Sequence, residues 1–317
     1  MRIVITGGAG FIGSALALAL QEKHEILLID TMQSSTLLDN GNLKYLGHFK
    51  NLLNFQGELF VGNINKTQTL KQIKAFKPDI IFHKAAISDT TFYNQNAILR
   101  TNLNSFKNII QLCQKLKAKL IYASSASVYG DAPSPQQVGK DENPKNPYAF
   151  SKLMMDKLAQ KYASELHIVG LRYFNVYGKG EFFKGKTSSM ILQLAHQILA
   201  GKNPILFEGS DTIYRDFVYI KDVVSANIAA LTAKSGIYNV GSFQARSFQD
   251  IVDILQAKLK TNLTCKYIPN PFAKAYQFHT QAFCDENFAY RSQFGLEEGI
   301  DDYLPEIQRL FAKEVNA

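Results

Sequence analysis

Short apolar runs alternate with amphipathic stretches through the first half of the chain. The runs at 3–5, 25–29, 59–61, 79–82, 119–122 and 167–171 predict strands, and 11–21, 108–116 and 148–162 predict helices. The strands are apolar throughout rather than apolar at every second residue, so both faces are covered, as in a parallel sheet. Parallel strands need crossover connections, and the strand–helix alternation supplies them. An α/β class with a doubly wound parallel sheet follows. After Arg172 the rhythm breaks. Residues 178–186, rich in Gly, Lys and Phe, read as a loop, and 188–200 as a helix. The stretch 216–231 reads as a short strand and then a helix opening at Asp222, and 237–240 as a late strand. The remainder mixes short helices and loops around Pro269, Pro271 and Pro305. This predicts one unit from 1–171 plus about 215–241, and a smaller, discontinuous one from about 172–214 plus 242–317. A ligand is expected in the cleft between them, outside the carboxyl ends of the strands.

Composition narrows the partners. The 317 residues carry a formal net charge of +8, which favours an anionic ligand. The lysines are scattered and no zinc-finger or basic-zipper pattern is present, so a phosphorylated small molecule is expected rather than nucleic acid. Cys113, Cys265 and Cys284 lie far apart without CxxC spacing, which argues against disulfides or a metal site. The segment Met1 to Gly7 lacks a signal-peptide layout, and no apolar run approaches the ~20 residues that span a bilayer. No membrane association and a cytoplasmic location are expected.

The first candidate chemistry is Gly7-Gly8-Ala9-Gly10-Phe11-Ile12-Gly13, between a predicted strand and a predicted helix. Gly7 permits a tight turn, Gly10 lets backbone approach a pyrophosphate, and Gly13 lets the helix pack closely on the strand. The helix N-terminus offers free amides and the positive end of its dipole to phosphates. Asp30 ends the second strand, where an acid holds the adenosine ribose hydroxyls of a dinucleotide. Asp30 alone favours NAD, whereas Lys44 or Lys50 in the following loop can pair with a 2′-phosphate, so spacing leaves NAD and NADP both open.

A second constellation sits further on. Tyr148 and Lys152 are four apart, on one face of a helix that Pro147 suits at its start. A phenol with pKa near ~10 is a poor base at neutral pH, and a lysine cation nearby favours its phenolate. The Ser124-Ser125-Ala126-Ser127-Val128-Tyr129-Gly130 stretch ends the fifth strand, where a serine hydroxyl can bond a substrate oxygen as its proton leaves.

These motifs, with His83-Lys84-Ala85-Ala86 after the fourth strand and Arg172-Tyr173-Phe174-Asn175-Val176-Tyr177-Gly178, resemble the extended short-chain dehydrogenases. The likeness spans nearly the whole chain. It implies a Rossmann sheet with a C-terminal substrate-binding domain, Ser125 and Tyr148 as catalytic groups and Lys152 on the cofactor ribose. Dehydratases of that superfamily usually carry Thr-Asp-Glu at the end of the fifth strand. Ser125-Ala126-Ser127 stands here instead, so elimination of water lacks its proton donors and epimerisation is favoured. The stretch from His83 through Ser88 to Thr91, Lys184-Gly185, Leu206 to Ser210, Arg215 to Tyr219, Tyr276-Gln277 and Thr280-Gln281 resemble the branch that epimerises C6 of an ADP-linked heptose for lipopolysaccharide.

That narrower resemblance implies NADP, with NAD as the alternative, and contacts to it from Gly7, Gly10, Phe11, Ile12, Gly13, Asp30, Lys84, Ala85, Ala86, Asn102, Lys152 and Val176. It implies Tyr148 and Lys184 as two proton acceptors assisted by Ser125. It implies Ser88, Asn175, Lys186, Gln193, Phe207, Glu208, Gly209, Ser210, Arg215 and Tyr276 around an ADP-sugar, and a homo-oligomer as the assembly. The reaction implied is removal of hydride from C6, a 6-keto sugar, and return of hydride to its other face. A UDP-hexose 4-epimerase using NAD and a non-catalytic dinucleotide sensor are the rival readings.

Overall fold

The computed structural model describes residues 1–33, 35–271 and 278–315; Tyr276 lies outside them. In chain order the first elements are β1 (Arg2–Thr6), α1 (Phe11–Leu20), β2 (Glu25–Asp30), β3 (Glu58–Val61), α2 (Thr67–Phe76) and β4 (Ile80–His83). Next come α3 (Gln95–Leu99), α4 (Ser105–Leu116), β5 (Lys119–Ser125), α5 (Pro147–Tyr162), β6 (Ile168–Tyr173), β7 (Asn175–Tyr177) and α6 (Met190–Leu199). The last are β8 (Ile205–Phe207), β9 (Tyr214–Tyr219), α7 (Ile220–Ala229), β10 (Gly236–Val240), β11 (Ala245–Ser247), α8 (Phe248–Leu259), β12 (Lys266–Ile268) and α9 (Leu296–Val315).

Seven parallel strands form one sheet in the order β10-β6-β5-β4-β1-β2-β3. The expected α/β, doubly wound Rossmann arrangement is present. The order reverses between β1 and β4, so a crevice opens at their carboxyl ends. Its apolar strands are covered on both sides. Val4, Ile81, Leu120 and Ile168 pack with Ile73, Phe106, Ile109 and Met155 from α2, α4 and α5. On the other face Ile3, Ile5, Phe82 and Leu171 share a core with Leu16 of α1, Val223 of α7, Ile191 of α6, Ile251 of α8 and Ile300 of α9. The C-terminal elements therefore pack through a core continuous with that of the sheet.

Two small sheets complete the structure, β11-β9-β7 and β12-β8. The strand anticipated near 216 is β9, which pairs with β7 in parallel and β11 in antiparallel fashion, outside the large sheet. Local signals explain several boundaries. Asn146 accepts from the Ala149 amide at 2.8 Å and caps α5 ahead of Pro147. Ser189 caps α6, and Ser247 with Asp250 forms a reciprocal capping box on α8. Among the described residues no helix is long and apolar enough to cross a membrane.

One helix start differs from the sequence reading. α7 opens at Ile220, and Asp222 lies inside its first turn, fully buried. Its carboxylate accepts from Ser292 Oγ at 2.7 Å and from the Gln293 and Phe294 amides at 3.0 and 3.1 Å. It thus spends its acceptors on the chain entering α9, with help from the helix dipole. Asp222→Ala strands those amides without an acceptor. It is expected to lower unfolding free energy by ~2–4 kcal/mol, read as a fall in urea midpoint; an unchanged midpoint contradicts the tether.

Candidate active site

At the crevice lies a cleft of about 380 Å³. Its floor is the β1–α1 turn. Gly7 has φ of 69°, and a methyl group there would sit 2.8 Å from the Ala85 amide nitrogen. A methyl group on Gly13 would collide with the Gly7 carbonyl oxygen, so only glycine lets α1 start this close to β1. No side chain caps α1 and no acid stands in its first turn. Phe11 and Ile12 therefore line the cleft beside helix amides available to an anion. Asp30 lines it too, nearly buried, with Oδ2 accepting from the Ala9 amide at 3.0 Å and Oδ1 from Met32 at 3.1 Å. Burial pushes its carboxyl up, and those amides pull it back. The uncapped helix, the glycine cradle and the acid at the end of β2 fit a dinucleotide. Lys44 lines the same cleft, whereas Lys50 lies over the Phe183 ring in a separate groove.

Ser125, at the end of β5, and Tyr148 and Lys152, on α5, line the other end of the cleft. Ser125 Oγ accepts from the amide and hydroxyl of Ser127 at 3.2 and 2.9 Å, and its side chain faces the Tyr148 phenol. Lys152 Nζ donates to the Ala123 carbonyl at 2.7 Å and lies 5.8 Å from the Tyr148 ring centre. The expected lowering of the phenol by Lys152 is absent from the protein alone. Burial pushes Tyr148 up, and the Ser125 side chain opposes it. Burial also brings Lys152 down to about 8, against the upward pull of Asp156. Lys84, with Ala85 and Ala86 on the cleft wall, donates to Tyr173 Oη at 2.9 Å, and burial and Lys152 hold it well below the usual lysine range.

Lys184 reaches the cleft from a 3₁₀ turn over Phe182–Thr187, inside the stretch read as loop. Its Nζ lies 5.4 Å over the Phe11 ring. Burial lowers it and Glu181 raises it. Glu181, missed in the sequence, is fully buried and staples this turn at both ends. It accepts from the Gly178 amide at 3.0 Å, the Ser189 hydroxyl at 2.8 Å and the Ser189 amide at 2.6 Å. A lone glutamate between glycine and phenylalanine carries no sequence signal for that role.

Other expected substrate residues are dispersed. Ser88 lines the cleft, as does Val176, which was expected on the cofactor. Asn175 is exposed on β7, opposite Phe217 of β9. Lys186 is exposed, and Gln193 donates to the Lys186 and Ser188 carbonyls at 3.3 and 2.8 Å, closing the 3₁₀ turn. Phe207 ends β8, and Glu208, Gly209 and Ser210 form the turn beyond it. Ser210 Oγ is buried there with no partner among the described residues. Arg215, on β9, donates to the Tyr214 carbonyl at 2.8 Å and lies over Phe248. Its neighbour Asp216 turns elsewhere, accepting from Ser242, Phe243 and Ala282. Apart from Ser88 and Val176, these groups stand outside the lining of the dinucleotide cleft.

Residues 3–241 match the NAD dependent epimerase/dehydratase family. The chain belongs to that family. It is 38% identical over 293 residues to an ADP-L-glycero-D-manno-heptose-6-epimerase of Brachyspira hyodysenteriae, covering 88% of each chain. A crystal structure of the Helicobacter pylori ADP-L-glycero-D-manno-heptose-6-epimerase is 45% identical, with a TM-score of 0.88 over 97% of this chain and 96% of that one. A Bacillus cereus UDP-glucuronic acid 4-epimerase solved with UDP-glucuronic acid and NAD is 26% identical, with a TM-score of 0.82 over 98% and 100%. The family match ends just past β10, so α8 and α9 lie beyond it.

Asn102 departs from the reading that it touches the cofactor. Between α3 and α4 the helix widens into a π turn over Arg100–Asn104, which turns Asn102 inward, fully buried and off the cleft wall. Its Oδ1 accepts from the Ile87 amide at 2.9 Å, and Nδ2 donates to the Ile87 carbonyl and Ser151 Oγ, both at 3.0 Å. In this family member Asn102 joins the cleft wall to the helix of Tyr148. Asn102→Ala is expected to cost ~2–3 kcal/mol in urea unfolding and to weaken dinucleotide binding together with it. Weaker binding at unchanged stability would point to direct contact instead.

Proposed function

We propose that the protein inverts C6 of ADP-D-glycero-D-manno-heptose to give the L-glycero epimer, using resident NADP, in the supply of heptose for lipopolysaccharide. The observation that carries this reading is one cleft holding the glycine cradle, the Ser125–Tyr148–Lys152 group and Lys184. The heptose-epimerase relatives at 38% and 45% identity support the sugar. Among the described residues lining the cleft, Asp30 is the only carboxylate, and it lies at the end of β2. No acid–base carboxylate pair stands at β5 to eliminate water, which favours epimerisation over dehydration.

The glycine turn and the α1 amides hold the pyrophosphate, Asp30 the adenosine ribose, and Lys152 the nicotinamide ribose. Lys44, on the cleft near the Gly47 backbone that abuts Asp30, pairs with the 2′-phosphate. When bound, the dinucleotide supplies a reversible acceptor for the C6 hydride, and its ring charge favours the Tyr148 phenolate. Tyr148 Oη takes the C6 hydroxyl proton from one epimer, with Ser125 bonding the same oxygen. The 6-keto sugar turns within the site. Lys184, lowered by burial, exchanges the proton for the other epimer. Residues 172–214 and 242–317 hold the ADP-sugar, through Asn175, Lys186, Gln193 and the 207–210 turn, together with Ser88 and with Arg215, whose guanidinium suits a diphosphate. A homo-oligomer completes the assembly.

Mass spectrometry of cofactor released from purified protein is expected to find oxidised NADP. Lys44→Ala should weaken NADP roughly tenfold with little effect on NAD. Release of NAD alone would remove the 2′-phosphate assignment.

Tyr148→Phe is expected to cut turnover by roughly 10²–10⁴-fold while cofactor and ADP-sugar still bind. Lys184→Met should block interconversion of the two heptose epimers with nucleotide binding intact. Full activity of Lys184→Met would reduce Lys184 to a loop residue, and turnover of UDP-hexoses rather than ADP-heptose would move the protein to the 4-epimerases.

A further inference from the structure

One turn beyond Lys152 on α5 stands Asp156, only 1% exposed. Its Oδ1 accepts from the Tyr122 hydroxyl at 2.8 Å, and its Oδ2 from Ser124 Oγ at 3.0 Å and Arg172 Nε at 2.9 Å. Tyr122 and Ser124 flank Ala123 on β5, and the Ala123 carbonyl is the acceptor of Lys152. The carboxylate therefore grips the strand on both sides of the peptide group that Lys152 bonds. Arg172 is itself committed: Nη1 donates to Glu142 at 2.7 Å, and the guanidinium lies 4.9 Å over Tyr129.

We propose that Asp156 is a positioning residue for the epimerase reaction, holding the Ala123 carbonyl in place and keeping Lys152 an ammonium as it enters the cleft. The proposal rests on the reading that Lys152 works there as a cation. The groups around Lys152 leave the task to Asp156. From the end of β4, burial and the Lys152 charge hold Lys84 well below the usual lysine range, and the neighbouring His83 imidazole is held down to about 3 by burial and by the two lysines, so neither supplies an anion. From β5, Tyr122 is pushed further up and stays neutral. From β6, Arg172 is a cation shared with Glu142. On α5 itself Tyr148 is a neutral phenol in the protein alone, and Asp156 is the neighbour that raises Lys152 against burial. The bonds from Tyr122 and Ser124 fill the lone pairs that the buried Arg–Asp pair leaves open, and they fix both residues flanking Ala123 as they do so.

Lys152 is charged below about 8 and loses its proton above it. Removing the anion lowers that midpoint, so the alkaline limb of kcat moves to lower pH. The test uses the loaded enzyme and two readouts: the pH profile of kcat, and the Lys152 titration by NMR on ¹⁵N-lysine protein, assigned with Lys152→Arg. Asp156→Asn is expected to lower both the limb and the midpoint by ~1 pH unit, and Asp156→Glu to restore much of both. Tyr122→Phe removes one grip but no charge. It should leave the midpoint in place while weakening cofactor binding several-fold. Should Asp156→Asn not fold, the double variant Asp156→Asn/Arg172→Gln removes both buried charges together, a change that folds tolerate better. Its midpoint is still expected below wild type, because Asp156 lies one turn from Lys152. A folded variant without the Asp156 charge whose Lys152 titrates as in wild type overturns the proposal. Full turnover and cofactor retention in Lys152→Ala would instead overturn the underlying reading of Lys152.

Discussion

The bond from the Lys152 ammonium to the Ala123 carbonyl joins α5 to the end of β5, and the arrangement of side chains along the cleft depends on it. A buried ammonium needs an acceptor, and the carbonyl near the strand end provides one. Once α5 is held there, Tyr148 stands beside Ser125, and the helix face that carries Tyr148 and Lys152 opens onto the glycine turn. Asn102 braces the same helix from behind through Ser151, whose hydroxyl bonds the Tyr148 carbonyl at 2.7 Å.

Outside the large sheet, buried carboxylates do what strand ladders do inside it. Asp216 collects the 242–243 turn and Ala282, Glu181 closes the turn that carries Lys184, and Asp222 anchors the entry to α9. Each sits where several amides converge without strand partners. A carboxylate, with two oxygens and several lone pairs, satisfies them at once. Burial raises Asp216 to about 6 and pushes Glu181 up as well.

The basic side chains lining the cleft suit it to an anionic ligand. Lys44, Lys84, Lys152 and Lys184 line it, with Asp30 the only acid among the described lining residues. The scattered lysines of a chain carrying +8 are thus partly gathered by the fold into one concave surface, where low dielectric strengthens their attraction for phosphates.

The parallel sheet, the glycine turn and the Tyr148–Lys152 helix were legible in the sequence because each is written in local spacing: apolar runs, glycines at fixed intervals, and residues four apart on one helix face. The small-lobe strands β7, β8, β11 and β12 were not, since each has only three residues and is defined by its partner rather than by its own pattern. Asn102 was given a direct role on the cofactor, because nothing in the sequence marks the π turn that points it inward. Lys44 and Lys50 read alike in the chain, and only the path of the 31–50 loop puts one on the cleft and the other in a groove. Asp156 stood four residues after Lys152, in plain view, yet its meaning depends on Tyr122, Ser124 and Arg172 arriving from two other strands. Local spacing determines which residues share a helix face or a strand. Which buried charge meets which acceptor is decided only when distant segments pack, because burial makes each unpaired group costly and leaves few arrangements that satisfy them all.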